Sequence, residues 1–368
     1  MAPDNIPRSH PALSQILAGL AAGHMPPAPE LQQLADLILA DESRAIAFDI
    51  TPRNVEEVVR ERSHLFRLVY PEVLDYCQNK GLDRQINIQE TLWNLWLPLA
   101  IQLAKCRQKL QRPLIQGILG GQGTGKSTLA SILRLIHTHL GYNTISLSLD
   151  DLYKTYSNLL ALNQQDPRLD RRGPPGTHDI KLGLSVLDQL RQPNQQEAIK
   201  IPRFDKSAFN GAGDRTQPEI VQGVDIVLFE GWFVGAQPIE PAAFDTAPEP
   251  ILTEDDRAFA RDMNARLKDD YLPLWDRLDR LIVLYPVDYR LSLQWRLQAE
   301  HEMIAVGKSG MTDSEIKQFV NYFWKALHPE LFIKPLTSNF KLVDMVIEIN
   351  ADHSPGAVYS GFQLDEVQ

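Results

Sequence analysis

Apolar residues fall at helical spacing through the first hundred positions of the chain and then change rhythm. Leu13, Ile16, Leu17 and Leu20, and again Leu31, Leu34 and Ile38, recur every three or four residues, which predicts two short amphipathic helices with a break at 23–29. Thr51-Pro52 reads as an N-cap followed by proline at the first helical position, and Val55, Val58 and Val59 open the buried face of a third helix that Pro71 should end or kink. A fourth helix is expected from about 87 to 111; its apolar stretch 92–104 is broken by Asn94, Pro98 and Gln102, so it reads as a core helix too short to span a bilayer. Trp93 and Trp96 within it read as core. Beyond 112, short apolar runs alternate with helical patterns, as in a parallel sheet with helical crossovers. The strands expected are 113–119, 144–149, 225–229, 280–285 and 342–349, and the helices 127–136, 180–190, one ending near 267, and a polar one after Asp288. The proline-, acid- and alanine-rich stretch 237–250 reads as a surface loop. The class is therefore α/β, a parallel sheet flanked by helices (112–368) behind an all-α region (1–111) expected to serve in packing or oligomerisation.

A formal net charge of −10 argues against a nucleic-acid surface, yet it leaves room for a local basic pocket that takes a small anion. Cys77 and Cys106 lie in apolar helical patterns without metal-ligand spacing, which suits buried reduced thiols in a cytoplasmic protein. The first residues lack the basic and apolar regions of a signal peptide, and no membrane partner is expected.

Between the first expected strand and the helix after it stands Gly120-Gly121-Gln122-Gly123-Thr124-Gly125-Lys126-Ser127, a full match to the phosphate-binding loop G-x-x-x-x-G-K-[ST]. Glycines let successive backbone N–H groups turn inward around an anion where a Cβ would clash. Lys126 is placed to reach the β- and γ-phosphates of ATP and Ser127 to hold Mg²⁺, while Ser127 and Thr128 open a helix whose N-terminal dipole favours phosphate. The fold is thus expected to be of the P-loop NTPase type.

Acids and cations follow at the ends of the expected strands. Asp150 and Asp151 close the 144–149 run, where carboxylates of a parallel sheet face the ligand crevice; either could instead cap the next turn. One such carboxylate within reach of an alcohol is the base that phosphoryl transfer needs. Glu230 ends the 225–229 run and suits a position near Mg²⁺ or its waters. The turn-rich segment 171–179 offers His178 and Asp179 for gripping a polyol. Arg203, Lys206 and Arg215 place three cations in what reads as a short loop, 200–215, a cluster suited to a carboxylate or phosphate. Arg296, in the polar helical stretch, is the candidate lid cation for the transferring phosphoryl group, with a surface salt bridge as the other reading.

These residues together resemble D-glycerate 3-kinase of the plant and cyanobacterial type. The resemblance rests on Leu149-Asp150-Asp151-Leu152-Tyr153, Arg172-Gly173 through His178-Asp179, Pro202-Arg203 with Lys206-Ser207-Ala208, Gly213-Asp214-Arg215, Phe229-Glu230-Gly231-Trp232 and Trp295 through Glu300, and covers about 112–352. Asp150 with Tyr153, and Phe229-Glu230-Gly231, are more distantly similar to uridine kinase, pantothenate kinase and phosphoribulokinase; there the first acid of the pattern acts as base, which falls on Asp150. The resemblance implies transfer of the γ-phosphoryl group of Mg-ATP to D-glycerate, giving 3-phosphoglycerate. Another small-alcohol kinase of the same fold is the alternative. A GTPase switch would need an N-K-x-D motif after Glu230, which the chain lacks, and Lys126, Asp150, Glu230 and Arg296 together argue against a non-enzymatic ATP-binding protein. Nothing in the sequence settles the oligomeric state.

Overall fold

Strand β1 (Leu114–Gly120) is buried at every position, because it runs at the centre of a six-stranded sheet and both of its faces are covered. The structure, a computed structural model, describes residues 10–193, 197–305, 307 and 310–361. Its other strands are β2 (Thr144–Ser148), β3 (Ile199–Asp205), β4 (Asp214–Val221), β5 (Ile226–Gly231), β6 (Arg280–Pro286), β7 (Met345–Ile349) and β8 (Pro355–Tyr359). The main sheet has the order β2-β5-β1-β6-β7-β8 and is parallel except for the last pair, β7 with β8.

Alternation along the strands divides the core in two. Leu114 and Ile118 of β1, Ile226 and Leu228 of β5, Ile282 and Leu284 of β6, and Met345 and Ile347 of β7 face one layer. Ile115, Leu119, Val227, Phe229, Leu281, Val283 and Val346 face the other. The first layer holds the helix Lys126–His139 together with the N-terminal helices, so Leu17, Phe66, Val69, Trp93, Leu97 and Leu103 share one apolar cluster with the sheet. The second layer holds the helices Ile180–Leu190 and Glu254–Arg266 and the segment that follows through Trp275. Among the described residues no helix is long and apolar enough to cross a membrane. Cys77 and Cys106 are free thiols, and burial pushes Cys77 up to about 11.

Several expected boundaries move. The helix Val55–Asn79 runs straight through Pro71 for 25 residues. Pro71 lies on the exposed face, while Val69, Val73 and Cys77 hold the helix on the core; the hydrogen bond lost to proline is lost where water can replace it. This helix also starts later than Thr51-Pro52 implied, because the Asn54 side chain accepts from the Thr51 amide at 2.8 Å and donates to the Asp49 carbonyl, closing a turn first. The 87–111 helix is continuous but takes a π-helical turn at Leu92–Trp96. The stretch 200–215, read as a loop, is mostly a hairpin: β3 and β4 pair antiparallel and form a separate small sheet. Strand β8 and the helices Tyr156–Gln165 and Asp313–Ala326 had no counterpart in the sequence reading.

Candidate active site

The phosphate loop leaves β1 at Gly120 and enters the helix Lys126–His139 at Gly125. Gly123 and Gly125 have φ of 80° and 83°, backbone that only glycine adopts without strain. Gly120 has no room for more than hydrogen, since a Cβ there would lie 2.5 Å from Thr124 Oγ1. No side chain caps the helix, so its first N–H groups stay available to an anion. Lys126 folds back and donates from Nζ to the Gly121 carbonyl at 2.9 Å. Burial lowers its pKa, and the carboxylates of Glu230 and Asp150 oppose that shift. Ser127 Oγ donates to Glu230 Oε1 at 3.1 Å, bringing together two oxygens from the loop and the end of β5.

The two adjacent aspartates part company after β2. Asp151 turns back to accept from the Ser148 amide at 3.0 Å and takes Arg203 Nη1 at 2.7 Å, so it caps the turn Leu149–Leu152. Asp150 faces the cleft, where Lys206 Nζ pairs with its Oδ2. Burial pushes the Asp150 carboxyl up, but the Lys206 ammonium and the Tyr153 hydroxyl outweigh it and hold the group below the usual aspartate range. It is an anion at neutral pH. His178 is fully enclosed behind it: its ring stacks on Tyr153 at 4.6 Å, and its Nδ1 pairs with the Tyr271 hydroxyl at 2.7 Å. Burial drops its pKa to about 3, so the imidazole is neutral.

Lys126, Ser127, Asp150, Lys206 and Glu230 share one cleft of about 710 Å³ with Arg296 and with Arg171 and Arg172. Neither of the last two was a candidate binding residue from the sequence, although both open the turn-rich segment that offered His178 and Asp179, and Arg172 begins one of the runs that carry the resemblance. Arg172 lies over the rings of Tyr153 and Phe204 and donates to the carbonyls of Gly211 and Ala212. Arg171 lies over Tyr322. Arg296 lines the cleft and pairs at 2.7 Å with Glu300, a buried carboxylate rather than a surface one. Arg203, Arg215, His178 and Asp179 stand outside the lining. Arg203 is held by Asp151 and Glu219. Arg215 pairs with Asp179 at 2.8 Å and donates to the Tyr153 carbonyl, while Asp179 caps the helix Ile180–Leu190 through the Leu182 amide. Trp295 covers the loop: a Cβ on Gly123 would meet it at 2.9 Å, and its indole donates to Ala351. His353 stacks on Trp295 and donates from Nδ1 to the Gly123 carbonyl at 3.1 Å.

An arrangement with a phosphate cradle, an ionised carboxylate opposite its lysine and a surplus of fixed cations can move a phosphoryl group onto a small acceptor. No family model matches the chain. An uncharacterised kinase of Schizosaccharomyces pombe is 34% identical over 220 residues, covering 58% of this chain and 79% of that protein. A probable ATP-dependent kinase of Saccharomyces cerevisiae is 36% identical over 225 residues, 57% and 75% of the two chains. The chloroplastic D-glycerate 3-kinase of Arabidopsis thaliana is 32% identical over 255 residues, 66% of this chain, which spans about half (54%) of that protein. The solved structure of D-glycerate 3-kinase from Cryptococcus neoformans superposes with a TM-score of 0.62 at 29% identity, over 71% of this chain and 99% of that one.

Proposed function

Because this chain belongs to the family of phosphate-loop kinases that holds these two yeast kinases and D-glycerate 3-kinase, we propose that it transfers the γ-phosphoryl group of ATP to the terminal hydroxyl of D-glycerate, giving 3-phosphoglycerate. One observation carries the acceptor's chemistry. Lys126, Arg171, Arg172, Lys206 and Arg296 against Asp150, Asp170, Glu230 and the Glu300 that pairs with Arg296 leave the cleft with one excess positive charge, in a chain of formal net charge −10. A cleft of that sign, next to a phosphate cradle, suits an acceptor that is itself an anion.

In this reading the loop amides and the helix N-terminus receive the triphosphate, and Lys126 exchanges the Gly121 carbonyl for phosphate oxygens. Ser127 and Glu230 fit a hard divalent cation such as Mg²⁺, because they offer two oxygens and such an ion takes its remaining ligands from phosphate and water. When bound it neutralises charge on the transferring group. Asp150 takes the proton of the acceptor hydroxyl, and Arg296 stabilises the charge that develops on the phosphoryl oxygens. Arg172 and Lys206 receive the glycerate carboxylate. Arg203, Arg215, Asp179 and His178 act behind them, as the props that fix Asp151, Tyr153 and the cleft wall.

A coupled assay of ADP release against D-glycerate, glycerol, uridine, pantothenate and ribulose 5-phosphate tests the reading. D-Glycerate should be turned over well and glycerol poorly, since without a carboxylate the cations of the cleft stay unpaired. Equal turnover of any of the others would transfer the assignment to another small-alcohol kinase.

A further inference from the structure

The phosphate loop stands between two cavities. The cleft described above lies over the β5 and β2 side of β1; the second cavity, of about 380 Å³, lies over the β6 and β7 side, where Leu284, Ile347 and Ile349 line it. Both touch Gly123, Lys126 and Ser127, and the second continues along the helix start to Thr128 and Leu129. Its far wall does not come from the sheet domain at all. Leu82, Gln85 and Ile86, in the turn after the helix Val55–Asn79, and Leu95 and Trp96, in the π-helical turn, close it from the N-terminal region.

A nucleotide is longer than its phosphates. With its terminal phosphate directed at Asp150, the rest of the molecule must leave the loop on the other side, into a cavity whose size and apolar walls suit a planar heterocycle. On the kinase reading, we propose that the N-terminal helical region is part of the nucleotide site: Leu82 and Ile86 form one face of the nucleobase pocket opposite the ends of β6 and β7, and Gln85 brings an amide to the base edge. The region thereby sets nucleotide affinity, in addition to covering the sheet.

Calorimetric titration of the full chain with Mg-ATP and, separately, with magnesium tripolyphosphate, which carries the phosphates without the base, tests this. The unaltered chain should bind ATP at least tenfold more tightly than tripolyphosphate. Ile86→Trp, which fills the cavity, should weaken ATP binding by tenfold or more and leave tripolyphosphate binding unchanged, with the KM for the acceptor unaltered. Gln85→Trp, at an exposed position that tolerates bulk, should act in the same direction and carries the comparison alone if Ile86→Trp loses both ligands by misfolding. ATP affinity unchanged in Gln85→Trp and in a folded Ile86→Trp overturns the proposal while the kinase reading stands. An unaltered chain that binds ATP no better than tripolyphosphate overturns it as well, and one that binds neither ligand removes the kinase reading along with it.

Discussion

Lys206, just beyond the end of β3, places its ammonium on Oδ2 of Asp150 and so ties the small hairpin to the end of β2, two elements that belong to different sheets. Burial raises the Asp150 pKa and Lys206 is the main influence that brings it back below the usual value. In Lys206→Met only the Tyr153 hydroxyl and weaker influences would still oppose burial, so the acid limb of the pH profile of kcat/KM should move to higher pH. The sign for stability follows. A carboxyl held below its unfolded value adds stability at pH above that value, and this is lost as pH falls through the folded pKa. The variant should therefore lose less stability on acidification than the parent. An acid limb at the same pH in both proteins would show that Asp150 is not the titrating base.

The neighbouring aspartates should separate by experiment. Asp150→Asn should cut kcat by about a hundredfold or more with little change in Tm, since its partner Lys206 is largely solvent-exposed. Asp151→Asn should lower Tm, because it weakens a turn cap of about 0.5–2 kcal/mol and loosens Arg203, with the smaller effect on rate. The reverse ranking in rate would move the base to Asp151.

Lys126→Ala should lower kcat/KM by a factor corresponding to about 3 kcal/mol or more while the protein stays folded, because the lysine bonds only to its own loop. Turnover equal to the parent's would exclude the loop from catalysis.

Glu230→Gln should raise the Mg²⁺ concentration needed for half-maximal rate, with KM for the acceptor unchanged. Stripping divalent cations with a chelator should abolish turnover in the parent, and added Mg²⁺ should restore it.

For the acceptor, Arg172→Lys and Arg215→Lys should differ. Arg172 lines the cleft while its Nη1 holds the Gly211 and Ala212 carbonyls, and a single ammonium cannot keep those bonds and also meet a carboxylate, so its variant should raise KM for D-glycerate far more than KM for ATP. Arg215 spends its fork on Asp179 and the Tyr153 carbonyl, so its variant should chiefly lower Tm. A larger glycerate effect at Arg215 than at Arg172 would move the carboxylate to Arg215, one of the three cations that the sequence offers for it.

The parts of the site that lie close together in sequence were legible, because local chemistry determines them: the glycines of the loop, Lys126 and Ser127, and the acids that end β2 and β5. What pairs with what across the cleft was not. Arg203 and Arg215 present themselves in sequence as free cations, and only the β3–β4 pairing, with a register shift between Ile201 and Arg203, turns one onto Asp151 and the other onto Asp179. His178 has the appearance of a polar loop residue, yet Tyr153, Phe233 and Tyr271 enclose it. The N-terminal helices were legible as helices from their apolar stripes, but a stripe does not say which surface it covers, and the β7 residues in the cluster with Trp93 lie about 250 residues further along the chain.

That last separation has a consequence at birth. The helical region leaves the ribosome before the sheet, with the apolar face that packs on Leu114, Ile118, Met345 and Ile347 still uncovered. At translation rates of roughly 5–20 residues per second, β7 follows on the order of ten to fifty seconds later. For that interval Trp93, Leu97, Leu103 and their neighbours lack their final partner, and the exposed apolar face is open to association with other chains. The sheet that ends the wait is itself assembled late: its central strand β1 follows the helices directly, and its β7–β8 edge comes long after. A chain cut before β7 would thus leave the helices made long before it without Met345 and Ile347 to pack on.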